Sequence, residues 1–206
     1  MEPLALSRND FTKKQIRRLI ELLLCGLLVW GPAPTFAISV EDAYRAIPHR
    51  YTPFEPKLVK MNLRDGAFLQ EFFRLVNLAI VERVQTQAWF QSNGKKGTAF
   101  PNYKRVTDSV IAQLEALAVP DNLKAVNRGV IDALKEQETY FEEWQRAVTR
   151  GEPFKHALGT GTHHPRVLAA SQKLHVAYAT LMQAYPQEAE RTKQAFFDHL
   201  CALDFI

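Results

Sequence analysis

The residues best suited to chemistry lie in a stretch of 15 residues, from Gly151 to Pro165, that has no helical pattern. This stretch contains His156, His163 and His164, and imidazole is the commonest metal ligand in proteins. Neutral ring nitrogens there would suit Cu(II), Ni(II) or Zn(II). Adjacent histidines in an extended segment point to opposite sides, so His163 and His164 would need a turn or His156 to share one ion.

Anion binding is the second chemistry that this region suggests. Glycine-rich turns present backbone N–H groups, and cations beside them could face a phosphate or a carboxylate. The cations in question are Lys95, Lys96, Arg150 and Lys155. We prefer a simpler interpretation, in which residues 151–165 form a solvated polar loop that caps the next helix, with Pro165 at its first position. Single loop motifs often match by chance, so the sequence assigns no metal ligand.

A separate metal or haem site could use His175 and Met182, which are seven residues apart and therefore share one face of a helix. Histidine at the edge of an apolar seam is more often a hydrogen-bonded core residue, and methionine more often fills space. Glu138, Glu142 and Glu143 resemble a di-iron site only superficially, because the Glu-x-x-His spacing of that site is absent. A metal- or haem-binding bundle therefore remains the alternative to a protein without a cofactor.

Signatures of common enzyme classes are missing from the sequence. It has no Gly-x-Ser-x-Gly elbow, no phosphate-binding P-loop and no dinucleotide fingerprint. Tyr140, Phe141 and Trp144 form an aromatic cluster with acidic residues beside it, which indicates core aromatics with a solvated flank where a partner could dock. We therefore expect a non-enzymatic binding or accessory protein, with another envelope protein as a possible partner.

The elements that must position these residues are all helical, because apolar residues recur at three- and four-residue steps and alternating runs are scarce. A short helix is expected between Ser39, its cap, and Pro48. The long predicted helices cover about 65–90, 103–118, 120–150 and 167–185, with Pro186 either kinking the last one or beginning a fifth. Short connections favour an up-down four-helix bundle, with the loops at 93–101 and 151–165 at the same end.

The first 37 residues have the order of an export signal. Four basic residues between Lys13 and Arg18 precede an apolar run from Leu22 to Trp30, and a small-residue step ends at Ala37. The run is too short to cross a membrane comfortably, so a cleaved signal is preferred to an uncleaved anchor. Residues 7–13 are similar to a twin-arginine signal, except that Asn9 replaces the second arginine. The predicted location is the bacterial periplasm or cell envelope.

The predicted domains are a signal peptide (1–37), an extended proline-containing lead-in with a short helix (38–64) and the helical bundle (65–206). Removing residues 1–37 lowers Lys plus Arg from 26 to 21 and Asp plus Glu from 22 to 19, so the net charge falls from +4 to +2. That balance argues against a nucleic-acid partner. Cys25 leaves with the signal, so Cys201 cannot form an internal disulfide, and we expect it partly buried against the first long helix. The oligomeric state is left open.

Overall fold

The computed structural model describes residues 38–47, 49–93, 99–152 and 164–204, and within these ranges the chain is helical without strands. Contacts divide the chain into two units, 1–37 and 38–206, and every described residue belongs to the second. The predicted export segment lies outside the described residues. The helices are α1 (Val40–Ala46), α2 (Leu63–Asn93), α3 (Phe100–Ala116), α4 (Lys124–Arg150), α5 (Pro165–Ala184) and α6 (Glu190–Leu203), with a 3-10 turn at Asp121–Leu123.

Local chemistry sets the helix ends that the sequence predicted. The Ser39 hydroxyl accepts a hydrogen bond from the Asp42 N–H at 3.1 Å and caps α1. Gly151 ends α4 in the left-handed conformation, with φ of 69°, where a side chain would be strained. Pro165 occupies the first turn of α5, where its missing N–H costs nothing. The helices extend beyond the predicted limits mainly in α2, which begins at Leu63.

Four of the long helices alternate in direction. The C-terminal parts of α2 and α4 meet the N-terminal parts of α3 and α5 in one cluster, because Phe90 and Phe141 pack with Tyr103 and Val167. The ring centroids of Tyr103 and Phe141 are 4.4 Å apart. This arrangement confirms the helical bundle and brings together the described residues that flank the loops at 93–101 and 151–165.

Helix α6 closes the bundle by packing between α5 and α2. The Phe196 ring lies 6.0 Å from that of Phe73, and the carbonyl of Ala202 accepts a hydrogen bond from Arg83, so α6 runs in the same direction as α2. Its last residues lie beside the middle of α2, since Arg83 is 20 residues into a helix of 31. The bundle therefore has five long helices over the part that α6 reaches, and four around the cluster that contains Phe90 and Phe141.

Pro186 marks a true break between two helices. Helix α5 ends at Ala184, and the Tyr185 N–H closes its last turn by donating to the Leu181 carbonyl. The chain turns over residues 185–189 before α6 begins at Glu190. The predicted fifth long helix therefore exists as α6 and starts four residues after the proline. Across the described ranges, we find no helix with the length and apolar character that crossing a membrane requires.

Candidate functional site

His164 is the candidate metal ligand that the structure describes, and both of its ring nitrogens are engaged. Nδ1 accepts a hydrogen bond from the Arg166 N–H at 3.3 Å, which makes His164 the N-cap of α5. Nε2 lies 3.1 Å from a carboxylate oxygen of Glu143 on α4. The imidazole also packs edge-on against Tyr140. His164 therefore caps α5, and its role as a metal ligand stays a prediction.

The other members of the predicted loop site fall mostly outside the described residues. These are His156, His163, Lys95, Lys96 and Lys155. Arg150 is described, and its guanidinium is largely exposed and lies 3.9 Å from the Glu152 carboxylate. The described residues that flank the two loops lie at one end of the bundle, as the sequence predicted, whereas a site formed by the histidines and lysines of the loops remains a prediction.

His175 and Met182 share a face of α5 but differ in environment. The His175 side chain is 75% exposed, with Nε2 at 3.8 Å from the buried Asp204 carboxylate. Met182 is partly buried against the apolar core. An exposed imidazole and a core thioether do not enclose a common position for iron or copper. Among the described residues, no group of three or more His, Cys, Asp or Glu side chains is arranged to hold a metal ion.

A buried polar pair receives the end of α6. The Arg83 guanidinium donates to the Ala202 carbonyl at 2.7 Å, and the Gln137 amide donates to the Leu203 carbonyl at 2.7 Å. Burial lowers the pKa of Arg83 to about 10, so the side chain stays cationic at neutral pH. A cation at this position also complements the negative end of the helix dipole. The pair holds the C-terminal turn of α6 inside the bundle.

A second buried network ties the lead-in to the bundle through His199. The Tyr44 hydroxyl donates to Asn77 Oδ1 at 3.0 Å, and Asn77 Nδ2 lies 3.5 Å from His199 Nε2. His199 Nδ1 lies 2.7 Å from the Ala195 carbonyl, which can only accept, so Nδ1 carries the proton. Burial lowers the pKa of His199 to about 4, and the imidazole is therefore neutral at physiological pH.

Cys201 is half-buried, as the sequence predicted, whereas its packing against the first long helix stays a prediction. A polar neighbour lies in the lead-in, where His49 Nε2 is 3.9 Å from Cys201 Sγ. Burial raises the pKa of the thiol, and the carboxylates of Asp204 and Asp198 add to this effect. Because the thiolate is the reactive form, Cys201 lacks the features of a nucleophile.

The described part of the molecule contains a cleft between the lead-in and the first turns of α6. Its volume is about 490 Å³, within the range typical of small-molecule sites. One wall consists of lead-in residues 50–53, and the other consists of Glu190, Arg191 and Gln194. A buried carboxylate ties the lead-in to the turn before α6, because Glu188 accepts hydrogen bonds from the Lys60 and Met61 N–H groups at 2.7–3.0 Å. The cleft is therefore part of the folded scaffold.

Sequence reasoning missed this cleft. Arg50 and Thr52 lie among prolines in an extended segment, and Arg191 and Gln194 lie on a helix about 140 residues away. No local spacing links the two groups. The available signal was the closely spaced Pro48, Pro53 and Pro56, which is typical of an extended segment that follows a surface.

Comparisons with models of known families, with curated proteins and with solved structures found no match to this chain. No relative therefore assigns a role to the cleft or to the residues around it.

Proposed function

We propose that this protein is an exported, non-enzymatic helical-bundle protein that acts by binding, as an accessory factor of the cell envelope. The observation that carries the binding role is the cleft between residues 50–53 and the start of α6. Its walls come from distant parts of the chain and are fixed by the Glu188 hydrogen bonds and by the Tyr44–Asn77–His199 network. A concavity between segments that hydrogen bonds hold together suits binding, because fewer groups have to be ordered by the ligand.

The export part of the proposal rests on the basic, apolar and small-residue order of residues 1–37. To test it, the full chain is expressed in a bacterium and the N-terminus of the accumulated protein is measured by intact mass. We expect a periplasmic species that begins at Ile38. A full-length chain that remains in the cytoplasmic fraction would contradict export, and a full-length chain in the membrane fraction would show an uncleaved anchor.

The binding part is tested by what remains attached to the protein. The chain is purified from its own compartment, and native mass spectrometry compares wild type with Gln194→Trp, which places an indole in the cleft. Gln172→Trp on the exposed face of α5 is the matched control. We expect a bound component on wild type and on the control that is absent from Gln194→Trp.

Two results would contradict the binding role. One is a bound component that all three proteins retain equally, since it would then lie elsewhere. The other is substrate turnover in a broad activity screen that Gln194→Trp abolishes and Gln172→Trp leaves intact, because the cleft would then be catalytic.

A further inference from the structure

Cys201 on α6 and His49 in the lead-in form a pair of metal-ligating side chains that the proposed function does not use. The Cys201 Sγ and His49 Nε2 atoms are 3.9 Å apart, and both residues are partly exposed. The backbone of His49 is held in place, because its N–H donates to the Tyr44 carbonyl at 3.1 Å. A sulfur donor and a nitrogen donor from distant parts of the chain therefore meet where the lead-in lies beside α6.

The distance between the two donor atoms suits one shared ion. A metal–sulfur bond of about 2.3 Å and a metal–nitrogen bond of about 2.0 Å place the two atoms about 3.5 Å apart at a tetrahedral angle and about 4.3 Å apart on a straight line. The observed 3.9 Å lies between these limits and is long for a side-chain hydrogen bond. An ion could therefore enter between the two atoms without a rearrangement of the backbone.

A buried carboxylate near the pair favours a cation independently of the two ligands. Asp198 lies one turn before Cys201 on the same face of α6 and is 3% exposed. Its Oδ1 accepts a hydrogen bond from the Gln194 amide at 2.6 Å, whereas its Oδ2 has no hydrogen-bond partner in the part of the chain that the structure describes. Burial raises the pKa of the Cys201 thiol, and the charges of Asp204 and Asp198 raise it further, so both carboxylates act on the sulfur.

The basic side chains of α6 do not compensate this carboxylate. Arg191 pairs with Glu55 and Lys193 pairs with Glu190, and none of the ion pairs among the described residues includes Asp198. A buried carboxylate without a cationic partner is costly, because the charge has lost its hydration. A cation held at Cys201 would supply the positive charge that these pairs do not.

The number and the softness of the ligands select the ion. Thiolate sulfur prefers Cu(I) and Zn(II), and imidazole binds both metals. Zn(II) takes three or four ligands from the protein, whereas no group of three or more His, Cys, Asp or Glu side chains in the described ranges is arranged to hold a metal. Cu(I) is a soft monovalent ion that is stable with two ligands. The pair therefore fits Cu(I) better than Zn(II).

From these observations we propose that Cys201 and His49 form a Cu(I) site that joins the lead-in to α6. On binding, the S–H bond of the thiol breaks, an S–Cu bond forms and the proton passes to solvent, while the neutral imidazole donates its Nε2 lone pair. No electron is transferred. The thiolate and the monovalent ion cancel in charge, which suits a half-buried position. This inference goes beyond the proposed binding function and does not depend on the cleft.

The test uses the full chain as it accumulates in the cell, purified free of copper. Cu(I) is offered in the absence of oxygen as its coloured complex with bicinchoninate, and loss of the colour measures transfer to the protein. We expect one Cu(I) per chain, with one sulfur and one nitrogen neighbour in the X-ray absorption spectrum of copper. An equal amount of Zn(II) should leave the bound Cu(I) in place.

An NMR measurement on the wild-type protein identifies the nitrogen ligand without any substitution. Cu(I) is diamagnetic, so the imidazole nitrogens can be followed directly. Saturation with Cu(I) should shift the Nε2 resonance of His49 and leave the ring of His175, an exposed histidine on α5, unchanged.

Matched variants test each ligand. Cys201→Ser should weaken Cu(I) binding by about 100-fold or more and His49→Phe by about tenfold or more, since the loss of an outer-shell partner alone typically costs 10–100-fold. His175→Phe is the histidine control, and Cys25→Ser is the control for the other cysteine of the chain. Both controls should keep the affinity of the wild type. Circular dichroism checks that the variants are folded.

Three results would overturn the proposal. The first is that bicinchoninate keeps the Cu(I) or that Zn(II) displaces it. The second is that His49→Phe binds as tightly as the wild type, because the ion would then be an adventitious thiol complex. The third is that His175→Phe or Cys25→Ser loses binding, since the ion would then lie elsewhere. The cleft experiment uses no copper, so its outcome stands apart from all three.

Discussion

Arg83 is a charged side chain that the fold uses entirely within its interior. It is 2% exposed and donates to the last turn of α6 and to the Gln87 side chain. The helical spacing of α2 does not reveal this role, because Arg83 lies beside Glu82 and one turn before Thr86 and Gln87, and so resembles part of a polar face. Only the position of the α6 C-terminus explains why a cation belongs there.

Replacing Arg83 with Met should therefore lower the free energy of unfolding by about 2–3 kcal/mol, because the buried carbonyl of Ala202 loses its donor. Arg128→Met is the matched control, because Arg128 is exposed and pairs with Asp132, and both residues lie on α4. The control should change stability by no more than about 0.5 kcal/mol. Urea denaturation measures both, and equal effects would show that Arg83 does not cap α6.

His199 should make the stability of the bundle depend on pH. Its pKa is about 4 in the folded protein and 6.5 in the reference state, so the unfolded chain binds more protons between these values. Stability from this residue is complete above about pH 6.5 and is lost as the pH falls towards 4. The nearby groups are Tyr44, Tyr51, Asn77 and Asp198. The loss between pH 7.5 and pH 5 is about 2 kcal/mol for this residue alone.

The measurement compares wild type with His199→Phe by urea denaturation at the two pH values. Phenylalanine keeps a ring against Phe73, whose centroid lies 4.5 Å from that of His199, and it does not titrate. We expect the difference between the two proteins to shrink or reverse at the lower pH. A constant difference would mean that His199 is not buried in its neutral form.

At the scale of the elements, α4 and α5 come close together because Gly129 has no side chain. A Cβ at Gly129 would lie 3.3 Å from the Ala177 Cβ and 3.4 Å from the Lys173 carbonyl. Gly66 in α2 is different, because its nearest neighbour would be Val59 at 3.5 Å, an ordinary contact. The same residue type therefore has a packing role in one helix and none in the other.

This difference gives a paired prediction. Gly129→Leu should destabilise the protein by about 1–3 kcal/mol through overpacking against α5. Gly66→Ala should be neutral or stabilising by up to about 1 kcal/mol, since alanine favours the helix more than glycine does. Thermal unfolding by circular dichroism distinguishes the two. Tolerance of leucine at position 129 would show that α4 and α5 can separate without cost.

The sequence predicted the elements better than it predicted the site. Helical spacing and the breaks at Ser39, Gly151 and Pro165 are local, so the corresponding helices appear where they were expected. The cap formed by His164 was predicted as a loop that precedes Pro165, whereas its contact with Glu143 depends on how α4 and α5 pack. The cleft could not be predicted, because its walls meet only after the lead-in folds onto α6.

At the scale of the whole molecule, the lead-in covers part of α6 and thereby shields Cys201. The lead-in is held by the buried ring of Tyr44, and His49 lies beside the thiol. Reaction of Cys201 with a thiol reagent therefore reports whether the lead-in is docked. The rate at which Cys201 is labelled therefore also reports whether the cleft between the lead-in and α6 is intact.

We expect slow labelling of Cys201 in the wild-type protein and at least about tenfold faster labelling in Tyr44→Ala. If the substitution weakens docking of the lead-in by about 1.4 kcal/mol or more, the open form that exposes the thiol becomes at least about ten times more populated. Val176→Ala, at a side chain on α5 that is 66% exposed, is the control. Circular dichroism must show that both variants stay folded. Rapid labelling of the wild type would mean that the lead-in does not cover the thiol.

Glu188 accepts hydrogen bonds from the N–H groups of Lys60 and Met61, which lie 128 and 127 positions earlier in the chain. Contacts of such long range form late in folding, since the chain between them must first become ordered. These contacts therefore cannot form until the ribosome has synthesised the chain as far as Glu188. Under the proposed export route, the nascent chain would reach the membrane before these contacts form. The delay would keep the chain unfolded enough to pass through a translocation channel.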